Sequence, residues 1–204
     1  MIGRLAVSAL AAAVILSTGS ATAADPVLVS IRVEGKTATL FGATEPRALA
    51  ATPLGALDAA SRAGELYTHV TSTSFGSYVD QIGRYGASGS AGWVFKVNEV
   101  SPPVGADALE LRRGDRVLWY YADFSSGSGP KTLRVSRAGK TSCYRAVAYD
   151  DAGAASFPEG ATLHVGGRSV ETQGATQAAV ACIGAHRGLV RATAPGMIRS
   201  NAVR

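Results

Sequence analysis

Hydrophobic and polar positions alternate along the first half of the chain and predict β-strands. Residues 27–33 carry a β-branched side chain at every second position, which places these side chains on one face of a strand. A turn at Glu34 and Gly35 follows, and residues 37–41 return with strand-forming composition. The pattern therefore predicts a hairpin at residues 27–41.

The hydrophobic period then changes from that of a strand to that of a helix. Thr52 is suited to accept a hydrogen bond at a helix N-terminus, and Pro53 is favoured at the first helical position. Leu54 and Leu57 fall on one face, and the helical pattern stops at Gly64. We predict one helix that begins at Pro53, ends at Gly64 and packs through its leucine face.

Strand signals resume after the helix and continue to the end of the first half. We predict strands at residues 66–72, 78–82, 93–97 and 117–121, a short strand at Leu109 and Leu111, a Gly/Ser loop at residues 86–92, and turns at residues 98–99 and 113–115. A hairpin, one helix and further strands form the element order of an α+β fold of the β-grasp type. We therefore expect a β-grasp-like domain at residues 24–124.

A run of Ser and Gly closed by Pro130 separates this half from the next. Residues 125–130 have the composition of a flexible linker. Beyond it we predict short strands at residues 132–136, 143–149, 161–165, 169–172, 178–183 and 188–193. Short strands at this spacing predict an all-β sandwich domain at residues 131–204.

Three segments of the first half resemble the transcobalamin-like C-terminal domain family. They are TPLGALDAA at residues 52–60, GWVFKVNE at residues 92–99 and PPVGADALELRRGDRVLW at residues 102–119. The resemblance covers residues 27–124 and implies a β-grasp-like fold. One departure is Glu99, where members of the family usually have Gly. Because Asn98 can still adopt a left-handed turn conformation, we expect the hairpin there to be weakened and not lost.

The same resemblance implies cobalamin or another corrinoid as a candidate bound ligand. In transcobalamin and intrinsic factor the corresponding domain covers one face of the corrin ring and works with a separate helical domain. We find no counterpart of that helical domain in this sequence, so we expect weak corrinoid binding or a different ligand. Residues 161–203 resemble bacterial immunoglobulin-like or prealbumin-like modules.

The first 23 residues have the features of a signal peptide. Arg4 supplies a positive charge, residues 5–16 are almost entirely apolar, and an A-x-A cleavage site follows at residues 21–23. This apolar run is shorter than the roughly 20 residues that a membrane-spanning helix needs, and no later stretch is as apolar. We expect an exported bacterial protein with no membrane span.

Cys143 and Cys182 are the only cysteines of the sequence. In an oxidising compartment two cysteines in one half of a chain most simply form one disulfide. A metal site or a catalytic thiol is the rival interpretation, but neither residue lies in a CxxC motif or a Cys/His cluster. The sequence therefore favours a structural disulfide in the second domain.

The formal net charge of +5 is unevenly distributed along the chain. Residues 24–125 hold 9 basic and 11 acidic residues, whereas residues 126–204 hold 10 basic and 4 acidic residues. Arginines of the second half, among them Arg134, Arg137, Arg145, Arg168, Arg187, Arg191 and Arg199, are spread singly along the sequence. Because they form no basic run and have no interleaved aromatic residues, they favour a solvated basic face over a nucleic-acid site. Contact of this basic face with an anionic surface is the alternative interpretation.

No catalytic or metal-binding motif stands out in the sequence. His69, His164 and His186 have no metal-ligand spacing, and no GxSxG, HExxH or phosphate-binding loop is present. Asp150 and Asp151 are adjacent, which is more typical of a turn than of an acid/base pair. We expect no enzyme activity, no catalytic residues and no metal.

Aromatic side chains are concentrated in the strands that flank the Gly-rich loop. One set should pack against the helix, and the other could line a shallow site for a flat or sugar-like ligand. Tyr78, Tyr85, Trp93 and Tyr120 are the candidate ligand-binding residues. We expect a secreted ligand-binding module, with a structural or interaction adaptor at the bacterial cell surface as the alternative. A pocket lined by Trp93 and Tyr85 would favour the first, and a collapsed loop at residues 86–92 the second.

Overall fold

A computed structural model describes residues 24–74, 76–139 and 141–204. The predicted signal peptide lies outside the described residues. The elements of the first half are β1 (Val27–Glu34), β2 (Thr39–Phe41), β3 (Arg47–Ala50), α1 (Pro53–Gly64), β4 (Thr68–Thr73), β5 (Gly76–Ile82), β6 (Tyr85–Gly86), β7 (Ala91–Val97) and β8 (Arg116–Asp123). In the described residues α1 is the only α-helix, and most of the regular structure is β.

The main sheet of the first half has the strand order β2-β1-β8-β7, with β3 also paired to β1. Its two central strands, β1 and β8, run parallel, and Val33 lies opposite Trp119. The strands on either side are antiparallel to them. A smaller sheet, β4-β5-β6, lies beside β7 without pairing to it. The predicted hairpin of β1 and β2 is confirmed.

Helix α1 begins and ends at the predicted residues. The Thr52 hydroxyl accepts a hydrogen bond from the Gly55 backbone N–H at 3.1 Å, which satisfies one of the free donors of the first turn. Leu57 and the neighbouring alanines of the same face are buried against β1 and β8. The Trp119 indole N–H donates to the Pro53 carbonyl at 3.0 Å and ties the helix start to the sheet.

Some predicted elements of the first half are wrong. The short strand at Leu109 and Leu111 does not form, because residues 101–115 run as loop and turns in which Leu111 fills the core as a single buried side chain. Strand β3 was not predicted, since only its last residue, Ala50, is buried and its pattern carries no clear alternation. The loop at residues 86–92 is shorter than expected, because strand β6 includes Gly86 and strand β7 already begins at Ala91.

Two sheets form the second half. Its elements are β9 (Thr132–Arg137), β10 (Cys143–Tyr149), β11 (Ala155–Ser156), β12 (Glu159–Val165), β13 (Arg168–Gln173), a 3-10 turn (Gly174–Gln177), β14 (Val180–Cys182) and β15 (Arg191–Thr193). One sheet has the order β11-β10-β14 with β9 also on β10, and the other has the order β13-β12-β15. Side chains from both sheets, including Leu133, Ala146, Leu163 and Ala192, share one core, which is consistent with the predicted β-sandwich.

The predicted disulfide is confirmed. Cys143 and Cys182 lie directly opposite each other on β10 and β14 and are bonded. Ile183 donates its backbone N–H to the Ser142 carbonyl at 2.9 Å next to this bond. The disulfide therefore fixes the start of β10 to the segment that follows β14.

The second half covers the face of the main sheet that is opposite to α1. On β1 the odd-numbered positions contact the helix, whereas Arg32 and Glu34 point the other way and are buried. Glu34 accepts hydrogen bonds from Arg191 at 3.0 Å and from Arg199 at 3.1 Å. Arg134 pairs in the same way with Glu45 at 2.9 Å. The arginines of this interface are therefore neutralised by acidic residues of the first half.

Candidate functional site

Strand β7 is an edge strand whose side chains alternate between two environments. Trp93 and Phe95 point to the helix side of the sheet, and Phe95 packs on Trp119 with ring centroids 5.2 Å apart. Lys96 points to the other side, toward the second half of the chain. The edge of β7 that does not pair with β8 faces β5, and the two strands belong to different sheets.

A cavity of about 360 Å³ lies between β5, β7 and residues 101–106. This volume is at the lower end of the range for small-molecule sites. Six aromatic residues line it: Tyr78, Trp93, Phe95, Trp119, Tyr120 and Phe124. The walls are therefore mainly apolar, and the exposed Tyr78 ring is available to stack on a ligand.

The structure brings three of the four predicted ligand-binding residues to this cavity. Tyr78 is 43% exposed at its rim, whereas Trp93 and Tyr120 are almost completely buried. Tyr85 is not part of its lining. The Tyr85 hydroxyl instead contacts the Thr37 hydroxyl at 2.8 Å, and its ring lies beside Tyr121.

Trp93 and Tyr85 are nevertheless connected. The Trp93 indole N–H donates to the Tyr85 backbone carbonyl at 2.8 Å. This hydrogen bond satisfies the only polar group of the buried Trp93 ring and fixes the ring plane. Tyr85 thus supports a cavity wall through its backbone, although its side chain lies elsewhere.

The polar end of the cavity combines residues from both halves of the chain. Asp151 accepts a hydrogen bond from the Ser101 hydroxyl at 3.1 Å, and Tyr120 lies beside them. Burial and the neighbouring Asp151 carboxylate raise the pKa of Tyr120 above its ordinary value, so this hydroxyl stays protonated. Tyr120 is therefore a hydrogen-bonding group here and not a general base.

Lys96 lies next to this end of the cavity, on the side of the sheet that faces the second half of the chain. Its fully buried ammonium donates to the Asp150 carbonyl at 2.7 Å and the Tyr149 carbonyl at 3.2 Å, and lies 3.3 Å from the Asp151 carboxylate. Burial lowers the pKa of Lys96, and Asp151 opposes this effect. Because the ammonium has carbonyl and carboxylate partners, it joins the two halves at the base of the site.

The wall formed by residues 101–106 is held at its C-terminal end by two hydrogen bonds. The Asp107 carboxylate accepts a hydrogen bond from the Ser77 backbone N–H at 2.9 Å, which lowers the pKa of Asp107. Leu54 of α1 donates its backbone N–H to the Ala106 carbonyl at 2.9 Å. The predicted strand at Leu109 and Leu111 is thus replaced by a loop that shapes the cavity.

Sequence reasoning missed Phe124 and Asp151 as lining residues. Phe124 directly precedes the Ser/Gly run, and Asp151 was interpreted as part of a turn. That interpretation is confirmed, since the Asp150 carboxylate accepts from the backbone N–H groups of Ala152 and Ala154. No local signal indicates that this turn meets the cavity, because the contact depends on how the two halves pack.

The histidines lie apart from this site. His69 contacts Asp80 at 2.7 Å, His164 lies between Ser169 and Thr193, and His186 contacts Tyr144. Over the described ranges no three His, Cys, Asp or Glu residues lie close enough together to hold a metal ion. A search of the same residues for a helix long and apolar enough to cross a membrane found none.

The turn at Asn98 and Glu99 closes the far end of β7. Both residues have positive φ, 50° and 70°, as a two-residue hairpin turn of this type requires. Glu99 adopts this conformation although it is not Gly, and its carboxylate pairs with Arg116 at 2.6 Å and Arg134 at 3.0 Å. The tight turn therefore forms as predicted, and two ion pairs hold the Glu99 side chain in place.

Comparison with known proteins gives one family match. No curated protein matches the chain. Residues 51–123, from the N-cap region of α1 to the end of β8, match the model of a family described as a domain of unknown function, DUF4430. Apart from Phe124 and Asp151, every residue that lines the aromatic cavity lies within this match. The cavity therefore lies almost entirely in a segment similar to the DUF4430 domain.

Proposed function

We propose that the protein is a secreted, non-enzymatic module that binds a flat, mainly apolar small molecule in the aromatic cavity. The observation that carries the proposal is the convergence of six aromatic residues on one cavity of about 360 Å³. Aromatic walls with a few polar groups at one end are typical of small-molecule sites. Ser101, Asp151 and Tyr120 supply those polar groups and would orient the ligand.

A corrinoid is the candidate ligand that the family resemblance of residues 27–124 supports. The parallel central pair β1 and β8 with α1 across one face agrees with a β-grasp-like arrangement. A volume of 360 Å³ holds roughly a dozen water molecules, which is less than a whole corrin ring occupies. We therefore infer that a corrinoid would insert only an edge or a side group, and that a smaller planar ligand would fit more completely.

Export supports the same proposal. The Cys143–Cys182 disulfide is of the kind that persists in oxidising compartments. A signal peptide at residues 1–23 would deliver the protein there. A binding module outside the cell would meet ligands taken up from the medium.

Titration of the purified mature protein tests the proposal. Cyanocobalamin, followed by absorbance and calorimetry, is the corrinoid probe, and 1-anilinonaphthalene-8-sulfonate, followed by fluorescence, is a general planar aromatic probe. We expect saturable binding of at least one probe with one site per chain. Absence of saturable binding of both at high micromolar protein would contradict the proposal.

Tyr78→Ala and Tyr67→Ala are the matched variants for this titration. Tyr78 lies at the cavity rim and is 43% exposed, whereas Tyr67 is 57% exposed and does not line the cavity. We expect Tyr78→Ala to weaken binding about 5- to 10-fold, since one stacked ring contributes about 1 kcal/mol. Tyr67→Ala should bind as the wild type does, and equal losses in both variants would indicate unspecific adsorption.

An adaptor without a small-molecule ligand is the second candidate function. Residues 86–91 form a short strand and a turn closed by hydrogen bonds between Ser88 and Ala91, and they do not line the cavity. Because residues 86–91 do not form an open loop at the cavity, this segment favours the adaptor function. Phe157 and Leu189 of the second half are also exposed and could contact a partner protein. Chemical crosslinking on intact cells, compared with the Phe157→Ser variant, would test this alternative.

A further inference from the structure

Two sets of arginines of the second half have different surroundings. Arg134, Arg191 and Arg199 are partly buried and pair with the glutamates of the first half. Arg137 and Arg187 are exposed and pair with no Asp or Glu in the described part of the chain, although Arg137 contacts an oxygen of the Arg204 carboxyl group. The free guanidinium nitrogens of the second set are therefore available to bind an anion.

Arg137 and Arg187 line the same pocket although 49 residues separate them in the sequence. The pocket has a volume of about 500 Å³ and lies at the start of β10, beside the disulfide. Arg204 also lines it, and no Asp or Glu does. Three arginines from three separate segments thus line one concave surface, where the carboxyl group of Arg204 offsets part of their positive charge.

The pocket wall that carries Arg187 is fixed by several bonds. The His186 Nδ1 atom lies 3.0 Å from the Gly188 carbonyl, and its Nε2 atom lies 2.9 Å from the Tyr144 hydroxyl. Since a carbonyl only accepts, Nδ1 donates to Gly188, and Nε2 forms a second hydrogen bond with the Tyr144 hydroxyl. Tyr144 is buried next to Cys143, so the disulfide and this hydrogen-bonded pair hold the segment in place.

The two arginines keep most of their donors free. The Arg137 Nε–H donates to an oxygen of the Arg204 carboxyl group at 2.5 Å, which orients its guanidinium, and its terminal nitrogens make no hydrogen bond within the described chain. The Arg187 guanidinium makes none with those residues. Guanidinium groups bind phosphate, sulfate and carboxylate oxygens by paired, charge-assisted hydrogen bonds. The hydroxyls of Thr141 and Ser142 add neutral polar groups to the lining.

We propose that this basic pocket, defined by Arg137, Arg187, His186 and Ser142, binds a small organic anion through a phosphate, sulfate or carboxylate group. The pocket is larger than a bare oxyanion requires, and its hydroxyl-rich lining fits a sugar-sized body attached to that group. It shares no residue with the aromatic cavity, so the site is independent of the proposed function.

Glucose 6-phosphate, glucose 6-sulfate and glucuronate are suitable probes, with glucose as the neutral control and inorganic phosphate as the bare oxyanion. Binding is followed at constant ionic strength by the Nε–Hε signals of the arginine side chains in proton–nitrogen correlation spectra. We expect saturable shifts with at least one sugar anion, tighter than with inorganic phosphate, and no shift with glucose. The strongest of the three anions identifies the charged group that the site recognises.

A comparison of Arg187→Gln with Arg145→Gln tests whether the anion binds in this pocket or anywhere on the positively charged surface. Both residues are exposed and both substitutions remove one positive charge, but Arg145 neighbours Tyr144 on β10 and does not line the pocket. We expect Arg187→Gln to weaken sugar-anion binding about tenfold, as the loss of one charge-assisted contact predicts, and Arg145→Gln to change it less than twofold. Equal losses in the two variants, binding as tight with inorganic phosphate, or no saturable binding at all would overturn the proposal.

Discussion

Glu34 of the first half, which is buried, and Arg191 of the second half, which is partly exposed, form an ion pair at 3.0 Å, 157 residues apart in the sequence. The Glu34 side chain is completely buried, and its two carboxylate oxygens also contact Thr39 and Arg199. Arg32, buried beside it, has its pKa lowered by burial in spite of the attraction of Glu34. The interface between the halves is therefore organised around one buried carboxylate.

Replacing Glu34 with Ala should destabilise the whole chain. Without the carboxylate, the buried Arg32 keeps its charge but loses its nearest negative partner, and losses of about 3–5 kcal/mol are typical of such broken pairs. Urea denaturation of wild type and variant measures the difference. Asp58→Ala, which breaks the exposed Asp58–Arg62 pair on α1, is the control and should change the free energy of unfolding very little. Similar effects of the two substitutions would contradict the importance of the buried network.

The double variant Cys143→Ala, Cys182→Ala should lose roughly 4 kcal/mol of stability in the chain-entropy model, given a sequence separation of 39 residues. We also expect it to weaken sugar-anion binding in the basic pocket, because Tyr144 and the segment with Arg187 would be less firmly held. Thermal unfolding with and without reductant measures the first effect, and the anion titration measures the second. A wild-type protein whose melting temperature does not change on reduction would contradict the first expectation.

Tyr120→Phe should change how stability depends on alkaline pH. Because burial raises the folded-state pKa of Tyr120, the unfolded chain loses this proton first, near the ordinary value of 10.0. The protonated hydroxyl therefore makes its full contribution to the free energy of unfolding below pH 10. Above pH 10 this contribution decreases by about 1.4 kcal/mol per pH unit.

Chemical denaturation of wild type and Tyr120→Phe between about pH 8 and pH 11.5 tests this expectation. The variant should be less stable at pH 8, where the hydroxyl lies beside Ser101 and Asp151, and the difference should shrink above pH 10. A difference that stays constant over the whole range would show that Tyr120 titrates normally in the folded protein.

Gly42→Ala should be far more harmful than Gly89→Ala. Both glycines have positive φ, 68° and 59°, so an alanine is strained at either position by about 1–2 kcal/mol. At Gly42 a methyl group would also lie 2.3 Å from the Ile31 backbone carbonyl oxygen, whereas at Gly89 it would meet nothing within 4 Å. Thermal unfolding of the two variants measures the contrast, and equal shifts would argue against close contact between β1 and the turn at Gly42.

Local sequence patterns predicted the elements that are stabilised by interactions between residues close in the sequence. Thr52, Pro53 and Gly64 define α1 because capping and proline geometry act within a single turn. The short strand at Leu109 and Leu111 was wrong because two alternating leucines in a loop have the same pattern as two in a strand. The cavity was predicted in part: Trp93 and Tyr78 were found from their aromatic character, whereas Tyr85 was placed there although its side chain packs elsewhere.

The sequence by itself determined the strand alternation and the helix with its cap, since each depends on residue type and short spacing. It also determined the disulfide, because only two cysteines are present to pair. Only the tertiary structure decided what covers the second face of the main sheet. Arg32 and Glu34 have the polar pattern of a solvent-exposed face, yet both are buried. Glu34 is paired with Arg191 and Arg199, more than 150 residues away, and Arg32 is paired with Glu34 and Glu45. The same packing brings Asp151 to the aromatic cavity, since the position of a distant turn depends on the whole fold and not on its own residues.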